Sequence, residues 1–176
     1  MPRLPYLSDA QIGDSPLVAA IRERRGGALL NLDRLLLHSP PVAAGWNQLL
    51  GAVRTQLDVS PRLRELAICA VAVLNDAPYE FHHHAPVFMR AGGSKEQVDA
   101  LADVEAALAD EGLFDGTERA VLRLALEMTN SVHVSDETAA ALKATLGEDR
   151  HVFELVTTVA AYNMVSRLLA ALHIGH

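Results

Sequence analysis

The sequence predicts an all-α fold, and three observations carry that expectation. Alanine and leucine are abundant while aromatic residues make up 5% of the 176 positions, a composition that suits helix better than strand. Helix start and stop signals recur along the chain. No stretch alternates apolar and polar residues at the period of two that a half-buried strand requires. The length suffices for a substantial core and no linker composition interrupts it, so residues 1–176 read as a single domain of about eight helices.

Residues 1–15 carry Pro, Asp and Gly and read as an extended N-terminal arm. Pro16 opens a short helix that Gly26-Gly27 closes. A second short helix covers 28–38, with Leu29, Leu30, Leu32, Leu35, Leu36 and Leu37 as its buried stripe, and Ser39-Pro40-Pro41 breaks it. The next runs from Val42 to Leu57, with Trp46, Leu49, Leu50, Val53 and Leu57 on one face. Ser60-Pro61 is a strong start signal. The helix it opens, 61–74, is apolar nearly all round after Glu65, the pattern of a central, buried element. Asn75-Asp76-Ala77-Pro78 ends it, and a helix over 78–91 follows. Pro86 inside that helix denies a hydrogen bond to the His82 carbonyl and predicts a kink. Gly92-Gly93 terminates it. Capping boxes at Ser94–Gln97 and Asp115–Glu118 open two further helices, and Ser135 caps a third that Gly147 closes. The last helix, 149–172, has Val152, Leu155, Val156, Val159, Met164, Leu168 and Leu172 as its apolar stripe.

The formal net charge of −7 supplies no basic footprint for nucleic acid. No apolar run approaches the roughly 20 residues of a membrane helix, and residues 1–17 lack the apolar core of a signal peptide. Cys69 is the only cysteine, so no internal disulfide is possible and a reducing compartment, the cytoplasm, is the simple expectation. Cys69 lies among Ala67, Ile68, Ala70 and Val71 and reads as an inert core thiol.

The chemistry concentrates in Tyr79-Glu80-Phe81-His82-His83-His84, just after the apolar run Leu66 to Leu74. On a helix Glu80 and His84 share one face, which suits proton transfer between carboxylate and imidazole. The bland alternative is a solvated ion pair on a surface helix. Two adjoining histidines, the apolar helix alongside and Glu65 near that helix's start all weigh against it, because a buried carboxylate needs a partner. Glu65 has its own plain reading, as an acidic residue favoured in a first turn. His82, His83 and His84 point about 100° apart and cannot share one ion. Glu65, Glu80 and His84 remain a conceivable metal set; the preferred reading has no metal. His82 reads as a wall residue and His83 as a surface or interface residue. His38, His133, His151, His173 and His176 join no constellation.

Arg64-Glu65 before a long apolar helix, then Tyr79-Glu80-Phe81 and His84, then Ala91-Gly92 and a capped helix, resemble the carboxymuconolactone decarboxylase family, which shares its all-α fold with alkylhydroperoxidase D. The peroxidase branch carries E-x11-C-x2-C-x3-H. Laid on this chain, Glu65 and His84 match, while Ala77 and Glu80 stand where the two thiols would be. A variant with Y-E-W followed by x2-H fits Tyr79 to His84, with Phe81 for Trp. Ala160-Ala161-Tyr162-Asn163 and Arg167 are similar to the family's closing segment, and the resemblance spans roughly 28–172.

Peroxide reduction needs a low-pKa thiolate and a resolving thiol, and neither position supplies one, so thiol peroxidase activity is disfavoured. The decarboxylase branch implies an enzyme with no metal or organic cofactor. The expectation is a lyase or isomerase acting on a small oxygenated metabolite of lactone or keto-acid type. His84 is the expected general acid/base, with Glu80 or Glu65 orienting it. Tyr79 is a candidate oxyanion donor, Arg64 or Arg167 a clamp for a substrate carboxylate, and Phe81 and His82 pocket residues. A non-catalytic ligand-binding role is the alternative. Wide apolar stripes and the resemblance together imply a homo-oligomer, a trimer or hexamer.

Overall fold

The computed structural model describes residues 2–175, so Met1 and His176 lie outside the described residues. Eleven helices and no strand form among them, three helices more than the sequence signals count. The described residues divide into two compact units, residues 2–56 with 169–175, and residues 57–168.

In the first unit the expected extended arm contains one helical turn, α1 (Asp9–Ile12), where Ser8 and Gln11 form a capping box. So short an element has no hydrophobic period to betray it. Pro16 opens α2 (Pro16–Arg25) behind a Ser15 cap, and Gly26 closes it in left-handed backbone at φ 78°, where a side chain is disfavoured. The second leucine-rich helix is shorter than expected, α3 (Asn31–Leu36). Pro40 and Pro41 belong inside the next element, α4 (Pro40–Thr55), as its first turn. The N–H groups that proline lacks need no helical partner there. Both α2 and α3 pack against α4 through Val18, Ile21, Leu32, Leu35, Trp46 and Leu50, all buried. Asp33 is 1% exposed and is held by Arg25 Nε at 3.0 Å and Arg24 at 3.6 Å, as a buried carboxylate must be. His38 Nε2 meets the Pro5 carbonyl at 2.8 Å. The chain's end returns to this unit, where Asn31 Nδ2 donates to the Gly175 carbonyl.

The second unit is built on α5 (Pro61–Leu74), which packs against α6 (Pro78–Arg90) and α9 (Gly116–Asn130). Every residue of α5 from Arg64 to Ala72 is buried, as its all-round apolar pattern predicts. The helix α6 continues through Pro86 to Arg90, and Gly92 follows at φ 103°. A Cβ on Gly93 would stand 2.6 Å from the buried Phe88 ring, so the second glycine is required by close packing. Ser94 caps α7 (Lys95–Ala100) and Asp115 caps α9, each with the expected capping box. Between them lies a helix the sequence reading lacks, α8 (Val104–Ala109), capped by Asp103. Ser135 caps α10 (Asp136–Leu146), which Gly147 closes.

The final helix, α11, runs Asp149–Leu172. Its large buried apolar and aromatic residues are Leu155, Val159, Tyr162, Val165 and Leu169, whereas Met164 of the expected stripe is 41% exposed. Apolar residues lie on every side of this helix, so composition does not mark the inner face. By length and composition α11 is also apolar enough to cross a membrane, which corrects the expectation that no such run exists; half of its most apolar window is buried inside the protein.

Candidate active site

The antiparallel placement of α5 and α6 in the second unit brings Glu65, in the second turn of α5, against His84 of α6. His84 Nδ1 lies 2.7 Å from Glu65 Oε2. Both side chains are withdrawn from solvent, at 12% and 3% exposure. Arg64 Nε approaches the other carboxylate oxygen at 3.3 Å, and this cation is itself buried. With Glu65 charged, the carboxylate only accepts, so Nδ1–H donates to it. In the neutral ring Nε2 then carries a lone pair. The Tyr162 hydroxyl of α11 lies 3.2 Å from that nitrogen, with the two rings edge-on at 87° and 5.0 Å between centroids. A line of hydrogen bonds therefore runs from Tyr162 through His84 to Glu65 and Arg64.

Glu80 reaches the last helix. Its carboxylate is buried and accepts the Ser166 hydroxyl at 3.1 Å on both oxygens. Of the two carboxylates the sequence offers as the orienting partner of His84, Glu65 makes the bond at Nδ1. Cys69 lies one turn beyond Glu65 on α5. Burial, reinforced by the charges of Glu65 and Glu80, pushes its thiol far up from its ordinary value, so the thiolate is scarce at neutral pH.

The other expected site residues are dispersed. Tyr79 is buried, with its ring 4.4 Å from that of His83 and its carbonyl bonded to His83 Nδ1 at 2.8 Å. His82 is exposed and His83 half-buried, the reverse of the assignment made from sequence, with the rings edge-on to one another. Arg64 is committed to Glu65, and Arg167 is exposed on α11. Phe81 lines a cavity of about 430 Å³ at the turn between α5 and α6. Ala77, at the first of the two thiol positions, lines the same cavity. Among the described residues no group of three His, Cys, Asp or Glu side chains is arranged to hold a metal ion, so Glu65, Glu80 and His84 do not form the metal set considered from sequence.

Tyr162 and Ser166 are the site residues that the sequence reading gave no role. Their signal is faint but present: polar side chains four apart, in an apolar helix and at positions that turn out to be buried. Asn163 belongs to the same pattern. It accepts from Asn75 Nδ2 at 3.1 Å and donates to Thr129, tying α11 to the end of α5 and to α9.

Comparison with known proteins agrees with this architecture. The model of the carboxymuconolactone decarboxylase family matches residues 40–127. No curated protein sequence matches the chain. Among solved structures, an uncharacterized peroxidase-related protein with an alkylhydroperoxidase AhpD core from Ralstonia eutropha JMP134 superposes with a TM-score of 0.82 at 18% identity, covering 99% of this chain and 91% of that one. An uncharacterized peroxidase-related protein from Silicibacter sp. TM1040 gives 0.77 at 17% identity, with coverage of 99% and 93%. The debrominase Bmp8, in complex with 2,3,4-tribromopyrrole, gives 0.72 at 18% identity, with coverage of 99% and 89%. At these identities the likeness is one of fold. With half of its length matched by the family model, including Glu65 and His84, the chain belongs to the carboxymuconolactone decarboxylase family.

Proposed function

We propose that the protein is a cofactor-free acid–base enzyme, a lyase or isomerase acting on a small oxygenated metabolite. The observation that carries this reading is the buried Tyr162–His84–Glu65 line. Glu65 fixes the imidazole as the Nδ1–H tautomer and stabilises the imidazolium formed when Nε2 takes a proton. The His84 side chain keeps 12% exposure while Tyr162 is fully buried, so the substrate meets the line at His84, and the Tyr162 hydroxyl holds the ring through Nε2. The substrate class is a lactone or keto acid; Arg64 is held by Glu65 and offers a substrate carboxylate no free clamp. A non-catalytic ligand-binding role is the second reading, favoured by a cavity whose lining does not include His84.

A cytoplasmic location accords with the single reduced thiol, Cys69. We also propose a homo-oligomer, a trimer or hexamer. Phe153 is 72% exposed and Met164 41%, and with exposed Ala160 they follow helical spacing along one side of α11, an apolar strip that a second copy would cover. Light scattering after size exclusion tests this; a concentration-independent mass near 19.0 kDa refutes it.

The activity test is turnover of a panel of small lactones and keto acids, followed by proton NMR. Loss of turnover in His84→Asn, with the fold retained by circular dichroism, supports the acid–base reading. Unchanged turnover in that variant refutes it.

A further inference from the structure

The cavity at the turn between α5 and α6 has a chemical character of its own. Its walls are apolar, formed by Ala72 and Val73 from α5, Ala77 and Phe81 at the start of α6, and Val98 from α7. Two lining residues are ionisable, Asp76 and Asp99, and both are carboxylates; no Lys, Arg or His lines it. The arginines of α5 nearby are committed. Arg64 pairs with Glu65, and Arg62 reaches Glu118, the Gly92 carbonyl and Gln97. Asp76 is exposed and its backbone is left-handed at φ 50°, which sets its position at the turn. Asp99 shares its carboxylate with Lys95 at 2.6 Å, but both side chains are well exposed, and a pair of that kind is weak and readily exchanged.

We propose that this cavity binds a compact apolar ligand carrying an amine. Its body would lie against Phe81, Val73 and Val98, and its ammonium group would face Asp76 and Asp99. Two physical terms act in the same direction. Burial of an apolar body in a cavity of about 430 Å³ supplies most of the affinity. An ammonium gains from Asp76 and, on displacing Lys95, from Asp99, where a carboxylate ligand gains from neither. The inference concerns binding alone and does not depend on the acid–base reading, because Glu65, His84 and Tyr162 do not line the cavity.

Three probes of one shape and different charge decide it: benzylamine, benzyl alcohol and benzoate, titrated calorimetrically into the full chain at low salt. The expected order is benzylamine, then benzyl alcohol, then benzoate, with about a tenfold span between the amine and the carboxylate. The doubly substituted Asp76→Asn/Asp99→Asn protein should bind the amine and the carboxylate within about twofold of each other, with the alcohol unchanged. Added salt should narrow the wild-type span. Phe81→Ala should weaken all three. Benzoate binding as tightly as benzylamine overturns the proposal, as does failure of all three to bind at millimolar concentration. His84→Asn should leave these affinities unchanged, so a failure of the acid–base reading and a failure of this one are separately visible.

Discussion

Glu65 Oε2 and His84 Nδ1 lie 2.7 Å apart across nineteen residues of sequence. Because each ring nitrogen of His84 has a partner, Glu65 at Nδ1 and Tyr162 at Nε2, the ring's orientation and tautomer are set before any ligand arrives. His84→Asn should lower kcat on any substrate by about 10²–10⁴-fold, the usual worth of a positioned acid/base. In nitrogen NMR the wild type should show Nδ1 protonated and Nε2 accepting. Tyr162→Phe should keep that tautomer with a shifted Nε2 resonance, whereas Glu65→Gln should allow the other tautomer. A Glu65→Gln spectrum indistinguishable from wild type would refute the assignment.

The Arg64–Glu65 contact also has a stability consequence. Glu65→Ala leaves a buried guanidinium without its carboxylate, and breaking a buried pair from one side costs about 3–5 kcal/mol. Glu65→Gln keeps an acceptor oxygen and should cost less. Urea unfolding of the two variants measures the difference.

Cys69 is fully buried and its thiol is pushed up by burial and by two nearby carboxylates. It should be inert to alkylating reagents at neutral pH and react only on unfolding, so the labelling rate should track denaturant concentration. Cys69→Ala should leave turnover unaltered. No dithiol-dependent peroxide reduction is expected from either protein, and peroxide turnover that survives Cys69→Ala would overturn the account of the missing pair.

Gly93→Ala places a methyl group 2.6 Å from atoms of the Phe88 ring. Phe88 is fully buried and has little room to move, so the substitution should destabilise by about 1–3 kcal/mol. The additional change Phe88→Leu should recover part of this loss, measured by thermal unfolding.

Glu154 anchors the start of the second unit by accepting from the Val59 N–H at 2.8 Å and from Arg150 Nε at 2.9 Å. Burial alone would raise its carboxyl, but the Val59 N–H and Arg150 outweigh that and hold it below the ordinary value of 4.5. The sign follows from linkage. A carboxylate depressed in the folded state adds stability above its unfolded value, and that stability is lost as pH falls through the folded one. Wild type should therefore exceed Glu154→Gln in stability at pH 7, with the gap closing below pH 4.5. A gap that stays constant to pH 3 would refute this role.

Much of the fold was legible because its determinants are local. The Pro16 and Pro61 starts, the Ser94 and Asp115 capping boxes and the Gly26 and Gly147 stops act within a few residues, and each helix they delimit is present. The all-round apolar character of 66–74 identified the central helix for the same reason. The helices α1 and α8 were not legible, since one or two turns carry no measurable period. Nor was the inner face of α11, where apolar residues on all sides leave the choice to packing. In the site, Glu65 and His84 stood out by residue type and spacing. Only the tertiary structure decided that Glu65 bonds Nδ1 of His84, that Glu80 turns to Ser166, and that Tyr162 completes the line. Those choices depend on how helices separated by up to 86 residues cross, and on which side chains that crossing brings within hydrogen-bond reach, quantities that no local pattern encodes.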